Sequence, residues 1–316
     1  MAEVTIASAN VQLKHDKEAN IKHFFDMIDD AADSGAQLIV FPECALQGYL
    51  FGINHSFTKD EWEYHYANAE AVPGPSTRRF ATKAKERDIT IIMGLTELVE
   101  AYGSSVLGDS AVTIAPNGIG SVFRKVHCTL GEKMAFQSGD EWLVSETRVG
   151  RVGTLVCADL LFPEAARELV LRGAQVLAFP TVWPSSNLDG YEKQDLGGNH
   201  DILCRVRALE NQVFFISSNA CGRDDVSDMR FYGHSQIVGP TGQVLSIAGY
   251  DEQVVKATVD IGAEITRART VGFNGNFFCK DRRPETYTAI GESGFPLSAS
   301  GRSGQASLSL GSQLVR

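Results

Sequence analysis

Apolar residues recur along this chain with two periods, and the changes from one period to the other predict its elements. Helical spacing marks residues 16–34, and Gly35 follows at the position where helix ends favour glycine. The same spacing predicts helices from Ser76, as an N-terminal cap, to about residue 88, from about 164 to 172, and from about 199 to 210.

Short apolar runs rich in β-branched residues predict strands between these helices. They begin before residue 11 and recur at 38–41, 89–94, 121–124, 152–156, 175–179, 213–218, 235–238 and 254–259. Helices and strands alternate early in the chain, whereas strands dominate late. This order predicts an α/β layered domain rather than a helix bundle or an all-β barrel.

Length and composition limit the domain organisation. The chain has 316 residues, 43% of them hydrophobic, which is enough to bury a large core. No linker or low-complexity break interrupts its interior, so we predict one domain over residues 1–285. Residues 286–316 include a stretch rich in Ser and Gly and are predicted to form a partly disordered C-terminal tail.

Charge and residue usage exclude several classes of function. A net charge of −10 argues against a nucleic-acid partner, because phosphate binding requires a basic face. No apolar run approaches the ~18 residues of a membrane helix, and the N-terminus carries no signal segment. We therefore expect no membrane partner and a cytoplasmic location. The six cysteines are scattered, which predicts reduced thiols rather than disulfides or a zinc site.

Metal and nucleotide chemistry have no candidate motif. His127 and Cys128 are adjacent, a spacing that does not place two ligands on one metal, so His127 is interpreted as structural. His234 falls in a run, 232–242, that is interpreted as strand, and is expected to be a satisfied inward histidine. The glycines form no phosphate-binding loop after a strand. We predict no metal and no cofactor.

Polar residues follow three of the predicted strands at the point where each strand ends. Cys157 and Asp159 follow strand 152–156, Glu43 follows strand 38–41, and Lys125 follows strand 121–124. Each has an ordinary interpretation when taken alone, since free cysteine is usually a buried hydrophobe and single charges usually lie in solvated loops. Strand ends are also where α/β sheets place active sites.

Taken together, the three residues form a complete set for amide hydrolysis. A cysteine nucleophile titrates near pH ~8.5 and needs a cation or a base to be active at neutral pH, and Lys125 supplies the cation. Lys125 and the N–H of Ala158 can stabilise the tetrahedral oxyanion. Glu43 can protonate the departing amine and later deprotonate a water.

At this point the sequence resembles a known family. FPECALQGY around Glu43, RKVH around Lys125 and LVCADLLFPEAAR around Cys157 are similar, in order and spacing, to the motifs of the nitrilase superfamily of carbon–nitrogen hydrolases. The resemblance covers about residues 4–283 and is greatest to the amidase and carbamoylase branches. It implies a four-layer α-β-β-α sandwich. It also implies that Glu132, at the position of the family's second glutamate, helps to hold the lysine and the substrate.

The resemblance carries expectations about partners as well. C-terminal segments in this family often reach across a neighbouring subunit, and Leu308, Leu310 and Leu314 could anchor such a contact. We therefore expect a homodimer or a higher homo-oligomer, with a small amide or carbamoyl compound as the substrate.

The residues near the cysteine favour amides over nitriles. Nitrilases commonly carry an aromatic residue and a glutamate after the cysteine, whereas this chain has Ala158 and Asp159. Enzymes for N-carbamoyl amino acids need a cation for the substrate carboxylate, for which Arg205 and Arg207 are candidates. The prediction is an amidase that converts a small carboxamide to a carboxylic acid and ammonia through a thioester. An N-carbamoyl amine or amino acid hydrolase is the alternative, and a nitrilase or an inactive binding scaffold is less favoured.

The predicted substrate pocket combines residues from separate loops. Ala158 lies beside the cysteine, and Tyr49, with Phe51, is expected to line one side. The loop at 181–198 is expected to cover the pocket, with Trp183 as an apolar wall, unless that tryptophan simply belongs to the core. Glu192 or Asp195 in the same loop could attract an amine.

Overall fold

Two β-sheets form the centre of the protein and carry helices on their outer faces. The structure, a computed structural model, describes residues 3–49, 58–101, 103–129, 131–185, 196–224, 226 and 229–291. Its strands are β1 Val4–Asn10, β2 Ala36–Val40, β3 Thr90–Ala101, β4 Ser104–Ala115, β5 Gly118–Arg124, β6 Val144–Thr147, β7 Gly150–Thr154, β8 Val176–Thr181, β9 Phe214–Asn219, β10 Cys221–Arg223, β11 Arg230–Tyr232, β12 Gln236–Val238, β13 Val244–Ile247 and β14 Gln253–Val259. Its helices are α1 Lys17–Asp33, α2 Lys59–Asn68, α3 Pro75–Arg87, α4 Pro163–Leu171, α5 Leu196–Asn211 and α6 Ile261–Thr270.

The two large sheets repeat one topology. The first has the order β14-β1-β2-β3-β4-β5 and the second the order β6-β7-β8-β9-β12-β13. In both, the second, third and fourth strands are parallel, and every other neighbouring pair is antiparallel. Strands β10 and β11 form a separate antiparallel pair. Each sheet therefore has a parallel centre, whose strand ends are suited to carry a site.

Side chains alternate between two buried layers along the central strands, as the period of two requires. In β2, Val40 packs between the sheets in a cluster with Ile216 of β9. Its neighbour Ile39 points to the other face and packs in a cluster with Phe24 of α1. Helices α4 and α5 cover the outer face of the second sheet in the same way. The order of layers is helix, sheet, sheet, helix, which confirms the predicted α-β-β-α sandwich.

The predicted helices are present, with one cap placed wrongly. The first helix is capped by Asp16, and Gly35 follows it with φ +83°, as predicted. The next predicted helix begins at Pro75, and its N-cap is Gly74 rather than Ser76. Ser76 is instead buried, and its N–H and hydroxyl both donate to Glu70. Proline is favoured in the first helical turn because its missing N–H has no intrahelical partner there, and this shifts the start of the helix.

Two strand predictions need correction. The run 232–242 is not one strand, because His234 adopts a left-handed φ of +52° between β11 and β12. The strand predicted at 89–94 continues to Ala101 and forms a long hairpin with β4, which the apolar runs did not reveal. Pairing of β3 with β4 satisfies the backbone N–H and C=O groups of both strands whatever side chains they carry, so a strict apolar run is not needed.

The chain divides into two compact units, Met1–Lys280 and Asp281–Arg316. In the second unit the described residues form two short 3₁₀ turns, Pro284–Thr286 and Thr288–Gly291. Leu308, Leu310 and Leu314 lie outside the described residues. Within the part of the chain that the structure describes, no helix combines the length and the apolar character needed to cross a bilayer.

Candidate active site

Three strand ends bring Glu43, Lys125 and Cys157 to the same region of the protein. Glu43 lies three residues after β2, Lys125 directly follows β5, and Cys157 opens a short 3₁₀ turn after β7. The turn that carries Glu43 lies against β3, where a Cβ on Gly94 would come within 2.5 Å of the Glu43 Cα. Glycine at position 94 therefore permits the backbone of the acid to approach the sheet this closely.

The Lys125 ammonium lies among three buried carboxyl groups. Its Nζ is 2.6 Å from Glu43 Oε1 and 2.7 Å from Glu132 Oε1, and 3.3 Å from Asp109 Oδ2. All four side chains are buried. A charge without compensation would be costly here, so these contacts fix the ammonium and both glutamates in one arrangement.

Further hydrogen bonds hold the two glutamates in place. Glu132 accepts from the Tyr49 hydroxyl at 2.9 Å and from the Thr129 N–H at 2.7 Å. The second oxygen of Glu43 accepts from the Val182 N–H at 3.0 Å, just after β8. Both carboxyl groups are therefore oriented by groups from other loops before any substrate arrives.

The electrostatic environment shifts the pKa values of the two glutamates in opposite directions. Burial raises the pKa of Glu43 well above its usual range, and Lys125 only partly opposes this effect. Burial also acts on Glu132, but the charge and hydrogen bond of Lys125, together with the hydrogen bonds from Thr129 and Tyr49, outweigh it and lower the pKa of that carboxyl. Burial alone would lower the pKa of Lys125, yet the surrounding carboxylates, Glu132 foremost, raise it well above the usual value. Lys125 and Glu132 thus form the ion pair, and Glu43 retains affinity for a proton.

Cys157 lies in a strained turn beside these groups. Its φ is +43°, a left-handed conformation that is uncommon for cysteine, and the residue as a whole is partly exposed. Burial and the charge of Glu43 raise the pKa of the Cys157 thiol well above its usual value, and Lys125 offsets only part of this. Lys125 therefore acts in the direction predicted for an activating cation, and burial and Glu43 oppose it.

Asp159 connects the cysteine turn to the lysine segment. It is buried, and its carboxylate accepts from the N–H of Val156 at 3.0 Å and from the N–H of His127 at 2.9 Å. The His127 ring nitrogen Nδ1 lies 2.8 Å from the same carboxylate, and the ring stacks on Phe162 at 3.7 Å. His127 is thus held by an acid and an aromatic ring, as the structural interpretation predicts.

Asp109 is the residue of this site that the sequence analysis misses. It lies in the middle of β4, where its carbonyl accepts from the Lys125 N–H at 2.8 Å and its carboxyl group faces the ammonium. The mixed polar and apolar sequence of this segment predicted no strand, so an acid at position 109 gave no signal. The oxygens of Asp109, Glu43 and Glu132 lie within 4.8 Å of one another, and the Lys125 ammonium supplies the positive charge among them.

Comparisons with known proteins show the family to which this chain belongs. The family model described as carbon-nitrogen hydrolase matches residues 5–269. The chain belongs to the carbon–nitrogen hydrolase family. It is 30% identical to a probable nitrilase of Schizosaccharomyces pombe over 92% of this chain and 97% of that protein. It is 31% identical to an omega-amidase of Xenopus tropicalis over 83% of this chain and 90% of the relative.

A solved structure of an amidase from Nesterenkonia sp. AN1 has the same fold. It superposes with a TM-score of 0.69 at 24% identity and covers 90% of this chain and 95% of the amidase. The layered architecture of this hydrolase is therefore shared with that amidase.

The residues predicted to line the substrate pocket of this hydrolase lie in different surroundings. Tyr49 and Ala158 are buried beside Glu132 and Cys157. Trp183 is also buried, and its indole N–H donates to the Leu196 carbonyl at 2.7 Å, so it is anchored as a core residue would be. It packs in the same apolar cluster as Cys157, so the core and pocket interpretations are compatible.

Other predicted pocket residues are elsewhere or outside the described part. Arg207 is buried and donates to the Leu160 carbonyl and to Glu210, while Arg205 is exposed and donates to the Gly242 carbonyl. Both guanidinium groups are therefore bound to the protein itself. Phe51, Glu192 and Asp195 lie outside the described residues, as does most of the predicted covering loop.

Proposed function

We propose that this carbon–nitrogen hydrolase is a cysteine-dependent amidase that converts a small carboxamide to a carboxylic acid and ammonia. The observation that carries the proposal is the Lys125 ammonium, fixed between Glu43 and Glu132 beside the partly exposed Cys157. A nucleophile, an acid–base group and a fixed cation are the parts that acyl transfer requires.

In the first half of the reaction, the Cys157 sulfur attacks the amide carbon while Glu43 takes the thiol proton. Since the pKa of the thiol is raised by burial, this transfer accompanies the attack rather than preceding it. Lys125 and the Ala158 N–H stabilise the oxyanion of the tetrahedral intermediate. Glu43 then returns the proton to the departing nitrogen, so that the C–N bond breaks, ammonia leaves and a thioester remains.

In the second half, Glu43 takes a proton from a water molecule, which attacks the thioester carbon. The C–S bond breaks, the sulfur recovers the proton, and the carboxylic acid leaves. One carboxyl group serves both halves because the high pKa that burial gives Glu43 brings it closer to the working pH. Glu132 makes no transfer in this scheme and holds Lys125 in position.

The names of relatives support an amidase. The omega-amidase of Xenopus tropicalis is similar over most of its length. In the Nesterenkonia amidase, a variant structure has the acetamide moiety of fluoroacetamide covalently added at the active site cysteine. Cys157 is the proposed counterpart. The Schizosaccharomyces pombe relative is named a probable nitrilase, so a nitrile panel belongs in the experiment.

The contacts of two arginines argue against an N-carbamoyl amino acid as the substrate. Arg205 and Arg207 were the candidate cations for a substrate carboxylate, and both bind protein carbonyl groups instead. An N-carbamoyl amine, which has no carboxylate, remains the second candidate. It would release carbon dioxide together with ammonia.

The decisive experiment identifies both the products and the intermediate. Purified enzyme is incubated with panels of carboxamides, N-carbamoyl compounds and nitriles, and ammonia and carbon dioxide are measured. Briefly incubated samples are analysed by intact-protein and peptide mass spectrometry. We expect ammonia without carbon dioxide from a carboxamide, and an acyl adduct on Cys157 rather than on Cys128, Cys204 or Cys221. Turnover restricted to nitriles, or an adduct on another cysteine, would contradict the proposal.

A further inference from the structure

Asp109 adds a third carboxyl group to a site that holds a single ammonium. The Asp109 Oδ2 atom is 3.3 Å from Lys125 Nζ, whereas Glu43 and Glu132 are at 2.6 and 2.7 Å. All three acids are buried, and their oxygens lie within 4.8 Å of one another. Three carboxylates around one ammonium would leave two negative charges without compensation in the protein interior.

Among the described residues, the ionisable groups that face Asp109 come from two segments. Glu43 and Cys44 come from the turn after β2, and Lys125, Cys128 and Glu132 come from the segment after β5. Cys157 and Tyr49 face Glu43, the second acid of the pair. Cys44 is a buried thiol 3.6 Å from Asp109 Oδ1, and burial raises its pKa well above the usual value, so it stays neutral. Lys125 is therefore the cation that faces this carboxyl group.

The balance of charge leaves one proton to be placed. Lys125 and Glu132 form the ion pair, since the Lys125 ammonium and two further hydrogen bonds, from the Tyr49 hydroxyl and the Thr129 N–H, favour the ionised form of Glu132. The remaining two acids, Glu43 and Asp109, then face each other with too little positive charge for both to ionise. Two carboxyl groups in this situation share a proton, and each influences the titration of the other.

We propose that Asp109 is a positioning residue of this site, which holds one proton jointly with Glu43 and thereby sets the pH at which Glu43 becomes available as a base. The inference rests on the proposed role of Glu43 in amide hydrolysis. Burial raises the pKa of both acids, and the Asp109 charge and hydrogen bond contribute to the rise at Glu43, as this sharing requires.

The test is the pH dependence of kcat/KM in an Asp109→Asn variant. Asparagine has the same shape and still offers an oxygen to Lys125, but it has no charge and no carboxyl proton. Glu43 should then lose its proton more easily, so we expect the acidic limb of the profile to move to lower pH by about one unit. An acidic limb at the wild-type position, with activity retained, would overturn the inference while leaving the amidase proposal intact.

Glu97→Gln is the matched control. Glu97 is also a buried acid of the same hairpin, but its carboxylate is bound by Ser110 at 2.6 Å and Arg124 at 3.1 Å instead of Lys125. This variant should lower stability without moving the acidic limb. An equal movement in the control would mean that the hairpin, rather than the charge of Asp109, sets the profile, and would also overturn the inference.

A second measurement needs neither the variant nor a substrate. Infrared spectra of the wild-type protein near neutral pH should contain the C=O stretch of a buried protonated carboxyl group. Glu264, whose pKa is also raised by burial, is replaced by Gln in a parallel sample to remove its contribution. Absence of the band from the Glu264→Gln sample would overturn the inference, even if Asp109→Asn does not fold or no substrate is turned over.

Discussion

Two clusters of ionisable residues in the described part of the chain, one buried and one partly exposed, differ in how their charges are matched. In the first, three carboxyl groups surround the Lys125 ammonium. In the second, one carboxylate, Asp201 on α5, is surrounded by donors. Its oxygens lie within hydrogen-bond distance of side chains from three elements and the turn between β11 and β12: His200, Tyr232, His234 and Gln236.

The second cluster contains an arrangement that looks catalytic. Ser217 Oγ lies 2.8 Å from His200 Nε2, and His200 Nδ1 lies 3.1 Å from Asp201, which is the order of a serine hydrolase triad. Both Ser217 and His200 are fully buried, however, and the hydroxyl has no surface from which to attack a substrate. Hydrogen-bond order alone therefore does not identify a catalytic site.

The pKa shifts reflect the same difference. Burial would raise the pKa of Asp201, but the hydrogen bonds and charges of His200 and His234 outweigh it and lower the pKa of this acid. At Glu43, burial prevails and the neighbouring acids add to it, so the pKa rises. A matched cluster stabilises one ionisation state, whereas a cluster with excess negative charge keeps a proton that can be transferred.

Replacing the nucleophile gives the largest expected effect. Cys157→Ala should reduce ammonia release at least about a thousandfold while the protein stays folded, because no other group can form the thioester. The control is Cys204→Ala, which removes a buried thiol 3.6 Å from His200 in the second cluster. Ammonia release is measured for both with the best amide of the panel. Wild-type turnover in Cys157→Ala, or an equal loss in the control, would remove the functional distinction between the clusters.

Replacing Glu43 gives the next largest expected effect. Glu43→Gln keeps an oxygen for the Lys125 ammonium but cannot transfer a proton, and we expect kcat to fall by about 10²- to 10⁴-fold. Cys157 should still react with a small alkylating reagent, which shows that the turn remains in place. If the variant keeps more than about a tenth of the activity, general acid–base transfer lies on another group.

The residues of the candidate active site were not equally predictable from the sequence. Glu43, Lys125 and Cys157 each follow an apolar strand, and the ends of strands in a layered α/β fold converge, so their proximity follows from local pattern. The contribution of Asp109 depends on the pairing of β4 with β3 and β5, a long-range register that periodicity does not specify. The left-handed backbone of Cys157 is equally hidden, because a non-glycine residue gives no local sign of positive φ.

The matched cluster should matter for stability instead of activity. Asp201→Asn replaces a carboxylate with an amide that cannot accept from all of its donors, and we expect the free energy of unfolding to fall by about 1–3 kcal/mol. Urea unfolding measures this change, and kcat/KM measured in parallel should stay near the wild-type value. A selective loss of kcat without loss of stability would instead assign Asp201 to the reaction.

The smallest effect is a difference in the slope of stability against pH. The pKa of Glu43 is raised by folding, so between about pH 4.5, where an unfolded glutamate titrates, and its higher native value, the native state holds the extra proton and stability falls as pH rises. The pKa of His200 is lowered by burial, so below about pH 6.5 the unfolded state binds the extra proton and stability rises with pH.

Between about pH 4.5 and 6.5, Glu43 and His200 therefore change the stability in opposite directions as pH rises. Each contributes a slope of at most about 1.4 kcal/mol per pH unit. Glu43→Gln should make stability rise more steeply with pH than in the wild type, whereas His200→Gln should flatten the rise. Urea unfolding at several pH values within this window separates the curves. Parallel curves for both variants and the wild type would mean that neither group changes its proton affinity on folding, because linkage requires any such change to appear as a slope.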